Sequence, residues 1–115
     1  MLMIRPMREG DDFSLAQDKS YHLALNGETL LGYCGYRRTE ALLLIEEVVD
    51  GGDIDLFDGL VRASLDAAEK AGIDGALFAE TVDLSRCREI GLLQAEENCI
   101  KSIREFLTNC KHCRN

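Results

Sequence analysis

The sequence contains no tryptophan, a single proline and no apolar run near the roughly 20 residues of a membrane span. It also lacks an excess of basic charge: 13 Lys and Arg stand against 21 Asp and Glu, a formal net charge of −8. Nucleic acid and anionic membrane surfaces both require a positive face, so neither is expected as a partner. Missing as well are a Gly-x-Gly-x-x-Gly, a phosphate-binding Gly-Lys-Ser/Thr and the paired-histidine motif of metalloproteases. The opening Met-Leu-Met-Ile-Arg-Pro reaches a charge and a proline too soon to serve as a signal peptide. The cysteines, Cys34, Cys87, Cys99, Cys110 and Cys113, are odd in number and lack the spacing of a secreted disulfide framework. Reduced thiols in the cytoplasm are therefore expected.

What is present fits one folded domain over residues 1–115, with 46% hydrophobic and 30% charged residues around a single shared core. The charge is uneven. Glu46, Glu47, Asp50, Asp53, Asp55 and Asp58 follow one another with no Lys or Arg between them. Such a block reads either as a solvated loop and helix start or as a site for a cation, an amine or a basic segment. Past residue 100 the balance reverses, with Lys101, Arg104, Lys111 and Arg114 against Glu105 alone.

Met1 to Ile4 reads as an opening strand stopped by Pro6, and Asp11 or Asp12 as the cap of a brief helix through Gln17. Tyr21 to Leu25 has the alternation of a strand, Asn26-Gly27 signals a hairpin, and Thr29 to Tyr36 returns. Gly32 and Gly35 in that strand suggest bulges or close backbone approach. Ala41 to Val49 reads as a central strand with an acidic exit. Asp53 to Asp58 supplies helix-start chemistry for a helix that ends at Gly72, with Leu56, Leu60, Ala63, Ala67 and Ala71 as its buried stripe. Gly75 to Glu80 is a further strand, Leu84 to Ile90 a short helix, and Leu92 to Ala95 a last strand. Asn98 caps a helix from Cys99 to about Leu107, within a C-terminal segment over 96–115. The predicted order is β-α-β-β-β-α-β-α-β-α, an α/β chain with a mixed sheet.

That order and several phrases resemble the GCN5-related N-acetyltransferase (GNAT) superfamily. Asn26-Gly27-Glu28-Thr29-Leu30-Leu31-Gly32-Tyr33 is similar to the hairpin between its second and third strands, Leu43 to Val49 to its fourth strand, and Gly59 to Ala71 to its cofactor-side helix. Cys87-Arg88-Glu89-Ile90-Gly91-Leu92 is similar to the short helix and glycine step after its fifth strand. The resemblance covers roughly residues 1–96 and implies a GNAT-like fold with shortened acceptor-side helices, since only Met7 to Tyr21 separates the first two strands. It implies acetyl-CoA as cofactor, held by Val48, Val49 and the stretch carrying Phe57, Gly59 and Leu60. It implies Glu46 or Glu47 as the base that takes a proton from an amine, adjacent strand residues facing opposite sides. The acceptor would be a small-molecule amine or a basic peptide, and a reduced acceptor lid favours a homodimer that closes the site.

The same stretch departs from the family's Gln/Arg-x-x-Gly-x-Gly/Ala loop. Leu56 and Val61 replace its polar and small positions, and Asp53, Asp55 and Asp58 stand where a diphosphate would sit. Two like charges about 5 Å apart repel by roughly 3 kcal/mol at an effective dielectric near 20, and less when screened. An alternative is therefore a non-catalytic GNAT-fold binding or assembly protein that has lost the diphosphate loop. A third is a small metal or thiol protein built on Cys110-Lys-His-Cys113, whose C-x-x-C spacing suits zinc or a redox pair. Cys99 on one continuous helix would lie about 16 Å from Cys110, too far to share an ion. No ligand set is complete in the sequence, so no metal residue is assigned. His22 reads as a half-exposed strand residue, Tyr33 and Tyr36 as packing groups, and Cys34 as a small core residue.

Overall fold

A computed structural model describes residues 2–108. Its strands are β1 (Leu2–Pro6), β2 (Ser20–Asn26), β3 (Thr29–Arg38), β4 (Leu42–Val49), β5 (Gly75–Phe78) and β6 (Cys99–Ile100). Its helices are α1 (Ile54–Lys70), α2 (Leu84–Glu89) and α3 (Ile103–Thr108). The six strands form one mixed sheet in sequence order, antiparallel throughout except for parallel β4 and β5 across the α1 crossover. No helix among the described residues is long and apolar enough to cross a membrane.

One face of the sheet carries the main core. Cys34, Tyr36, Leu43, Ile45, Ala76, Phe78 and Ile100 meet Leu56, Phe57, Leu60, Val61 and Leu65 of α1, with Cys87 of α2 and Ile103 of α3. The buried stripe of α1 runs through Leu56, Phe57, Leu60, Val61, Ser64, Leu65 and Ala68. Leu56 and Leu60 belong to it as predicted. Ala63 and Ala67 are only half-buried and Ala71 is exposed, the stripe turning instead toward Phe57, Val61 and Leu65, which bury more apolar surface. On the other face Tyr21, Leu23 and Leu25 pack beneath Met7, Phe13 and Leu15. Covered from both sides, β2 is buried from Tyr21 to Leu25 rather than alternating.

Three predicted elements change. No helix runs from Asp11 to Gln17: the Asp11 carboxylate takes Arg5 (2.8 and 2.9 Å) and the Arg8 N–H (2.6 Å), and Ser14 is left-handed at φ 55°. Leu92 and Leu93 are buried without forming a strand, and the last strand is instead Cys99–Ile100. The final helix starts at Ile103, not Cys99. Asp74 decides this from a distance, its carboxylate accepting from Ser102 Oγ (2.8 Å) and the Arg104 N–H (2.9 Å), while its carbonyl accepts from the Ile103 N–H. The observed order is β-β-β-β-α-β-α-β-α.

Two glycines shape β3. At Gly32 a Cβ would lie 2.3 Å from the Val49 carbonyl oxygen, and at Gly35 it would lie 3.0 Å from both the Glu47 side chain and the Tyr21 ring. The predicted close approach is real at both. The hairpin forms too, one residue later than Asn26-Gly27: Asn26 pairs with Thr29, and Gly27 at φ 63° leads the turn.

Candidate functional site

The site begins where β4 and β5 part. Their ladder runs from Leu42–Gly75 to Ile45–Phe78 and stops there, while β4 continues to Val49. Beyond the last pair, the Ala79 N–H donates to the Ile45 carbonyl (2.9 Å) and the Thr81 hydroxyl to the Glu46 carbonyl. Between them opens a cleft of about 530 Å³ lined by Lys19, Glu46, Glu47, Val48, Val49, Ala79 and Thr81.

A bulge brings two carboxylates to this cleft. Gly35 pairs with Glu47 and Tyr36 with Ile45, so Glu46 is an extra residue on β4. Regular alternation would set Glu46 and Glu47 on opposite faces, but the inserted residue breaks it. Lys19 Nζ lies 3.2 Å from Glu46 Oε1 and 3.8 Å from Glu47 Oε1. The expectation that one carboxylate at most faces the cleft is thereby corrected. The two are nonetheless unequal. Glu46 also accepts from Arg37 Nε at 2.9 Å, and that bond chiefly holds its carboxyl below the usual range. Two cations make Glu46 a poor proton acceptor. Among the described residues Glu47 has only the longer Lys19 ion pair, keeps 36% of its side-chain surface, and lies, like the Tyr21 ring, beside the missing side chain of Gly35. Burial pushes the Tyr21 phenol up, and its ring meets Tyr33 edge-on at 5.6 Å.

Past Val49 the chain enters α1 through the turn at 50–53. Asp53 caps the helix, its carboxylate accepting from the Asp55 N–H (2.9 Å) and the Leu56 N–H (3.3 Å). Asp50 accepts from the Gly52 N–H (3.1 Å), and its Oδ2 faces Arg86 Nη2 at 2.5 Å. Burial raises the Asp50 carboxyl, but Arg86 and the Gly52 N–H more than offset it and leave it lowered. Arg86 stacks over the Phe57 ring at 4.8 Å. Asp58 pairs with Arg62 at 2.7 Å.

The residues expected to hold a cofactor thus separate into two groups. Val48 and Val49 line the cleft. Phe57 and Leu60 are inside α1 and buried at 1% and 0%, and Gly59 faces Ile4 of β1, where a Cβ would lie 2.9 Å from Ile4 Cδ1. A helix N-terminus holds a diphosphate through free backbone N–H groups. Here Asp53 occupies those of Asp55 and Leu56, Asp50 takes the Gly52 N–H in the turn before the helix, and Asp55 and Asp58 stand in the helix's first turns. The start of α1, bonded and acidic, does not fit the diphosphate of acetyl-CoA.

Lys19, Arg37 and Arg86 were not singled out from the sequence, and Asp50 entered only as a member of the acidic block. Only Gly35 carried a local signal, as a glycine inside a strand. His22 is buried, not half-exposed, and shares a 2.9 Å hydrogen bond between its Nδ1 and the Tyr36 hydroxyl. Burial pushes the Cys34 thiol up to about 12 and the Cys87 thiol to about 11, which leaves both unreactive near neutrality. Among the described residues no cluster of His, Cys, Asp or Glu could hold a metal ion. Cys110, His112 and Cys113 lie outside the described residues.

No protein-family model matches the chain, and no curated protein matches it. Among solved structures it is similar to a protein of Bacillus anthracis str. Ames assigned as a streptothricin acetyltransferase and solved in complex with acetyl coenzyme A. The TM-score is 0.59 at 10% identity, covering 86% of this chain and 96% of that one. At that identity the likeness is one of fold.

Proposed function

We propose that this chain is a GNAT-fold binding protein that does not use acetyl-CoA, its β4–β5 cleft taking a small amine or a basic peptide segment. One observation carries the reading: at the start of α1 the Asp55 and Leu56 N–H groups are already bonded to Asp53, and the Gly52 N–H just before them to Asp50. The cleft itself stays open. In it Glu47 is the carboxylate available to a cationic group, because its one ion pair, with Lys19, is long at 3.8 Å and Glu47 keeps 36% of its side-chain surface, whereas Glu46 is held by Lys19 and Arg37. An incoming ammonium can join Glu47 on its exposed side, whereas Glu46 would have to leave two cations.

Acetyl transfer to an amine is the second reading. Likeness of fold to an acetyltransferase supports it, as does the placement of Glu47 beside the cleft. In that reading Glu47, not Glu46, receives the amine proton. Calorimetry separates the two. With CoA or acetyl-CoA near 1 mM we expect no heat above dilution, while a polyamine probe gives weak saturable binding that Glu47→Gln abolishes. Saturable acetyl-CoA binding below about 100 μM, or transfer of acetyl to the polyamine, would overturn the first reading and support the second.

A further inference from the structure

Granted the reading of the β4–β5 cleft as a site for a cationic group, we infer that Lys19 limits it to small ligands with one ammonium on an apolar body. The charged groups at the cleft alternate in sign. Asp18 pairs with Arg37 at 2.9 Å, Arg37 with Glu46 at 2.9 Å, and Glu46 with Lys19 at 3.2 Å. Those four charges sum to zero. Glu47 is left over, because its 3.8 Å pair with Lys19 shares a cation that Glu46 holds more closely. One further ammonium balances it. Lys19 itself is fixed in place: Ser20 beyond it pairs with Tyr36 in the sheet, and Asp18 before it is tied to Arg37. Its side chain keeps only 16% exposure, so water and salt screen its charge weakly. Burial lowers the Lys19 ammonium, but the hydrogen bond to Glu46 and the charge of Glu47 more than offset it and leave it raised.

A second ammonium on the same ligand finds no good place. At Glu46 it meets the like charge of Lys19. Along the rest of the lining it meets Val48, Val49, Ala79 and a Thr81 hydroxyl already donated to the Glu46 carbonyl. There it loses water and gains no opposite charge. Swung out into solvent, it draws the ligand's chain off the apolar wall. That wall suits an alkyl chain instead. Glu47 and Val49, two residues apart on β4, share a face, with Tyr33 paired opposite Val49. Val49 keeps 42% of its surface and is one of the exposed large hydrophobic side chains. An amine on the exposed side of Glu47 lays its chain over Val49 and leaves Lys19 where it is. A segment with several neighbouring basic residues brings charges for which the cleft has no partner, so the occupant is a small molecule.

Calorimetry on the full chain under reducing conditions, at about 0.15 M salt, tests this with hexylamine and hexamethylenediamine. The two probes share one carbon chain and differ by one charge. The unsubstituted chain is expected to bind hexylamine about fivefold more tightly than the diamine. Lys19→Met should reverse that order with an unchanged circular dichroism spectrum, since Glu46 then has room for the second ammonium. Lys19→Arg, which keeps the charge, should keep the original order. Val49→Ser should weaken hexylamine about threefold, and Glu47→Gln should abolish binding of both probes. Diamine binding as tight as that of hexylamine, still abolished by Glu47→Gln, overturns the inference and leaves the cationic reading of the cleft standing. So does an unchanged order in Lys19→Met, or hexylamine binding that Val49→Ser does not alter. Absence of binding by either amine overturns both.

Discussion

Replacing Asp50 by Asn removes one half of the ion pair that ties β4's exit to α2. The pair is largely buried, with side-chain exposures of 9% for Asp50 and 26% for Arg86. Stranding one partner of a fully buried pair costs about 3–5 kcal/mol. Arg86 retains some contact with water and its stacking on Phe57, and Asn can still accept from the Gly52 N–H. The expected loss is accordingly smaller, about 1.5–3 kcal/mol, close to that of a charged hydrogen bond. At about 4 °C per kcal/mol this is a fall in Tm of roughly 6–12 °C. Urea unfolding of Asp50→Asn, Arg86→Met and the double variant gives the coupling directly, and we expect about 1–2 kcal/mol of non-additivity with unchanged m-values. The pH dependence follows from the lowered Asp50 carboxyl. The unfolded chain protonates first on acidification, so the pair's contribution is complete above about pH 4 and is lost as pH falls through the lower folded value. Asp50→Asn should therefore flatten part of the acid limb. Additive single variants, or an Asp50→Asn loss below about 0.5 kcal/mol, would refute the reasoning.

Gly32→Ala sets a methyl group 2.3 Å from the Val49 carbonyl, and we expect a loss of at least about 1–3 kcal/mol in thermal or urea unfolding. Asp53→Ala leaves two N–H groups of α1 uncapped and should cost about 1 kcal/mol without altering the overall circular dichroism. His22 is lowered mainly by burial, so the unfolded state takes up its proton first. Stability should fall as pH drops below about 6.5, and His22→Phe should remove that slope while leaving the one below about pH 4. Tyr36→Phe strips Nδ1 of His22 of its partner and should cost about 1–3 kcal/mol by the same measurement.

Local signals in the sequence located most of the framework. Hydrophobic alternation and the glycine at position 27 mark the β2–β3 hairpin, and a run of small and apolar residues from the Asp53 cap toward Gly72 marks α1. Glu46 and Glu47 stand out as charges at the end of an apolar strand. What escaped is set by groups distant in the chain. Asp74 decides where α3 starts from 29 residues upstream of Ile103. The segment from Met7 to Lys19 has a capping pattern, yet its carboxylate goes to Arg5 and its apolar residues go to the back of β2. The bulge at Glu46 has no residue type of its own and arises from how β3 and β4 align over Gly35.

Composition alone makes the chain acidic, and residue order places those acids from Glu46 to Asp58 and marks a mixed sheet with one long helix after the fourth strand. Sequence order could not say what that acidity faces. Folding brings Lys19 and Arg37 to Glu46, Lys19 to Glu47, Arg86 to Asp50 and Arg62 to Asp58, and it turns Asp53 into a helix cap. A block with no cation inside it is largely neutralised by cations from four other places. The physical reason is range: pattern and propensity act over a few residues, while an ion pair acts over a few ångströms wherever the chain brings its partners together.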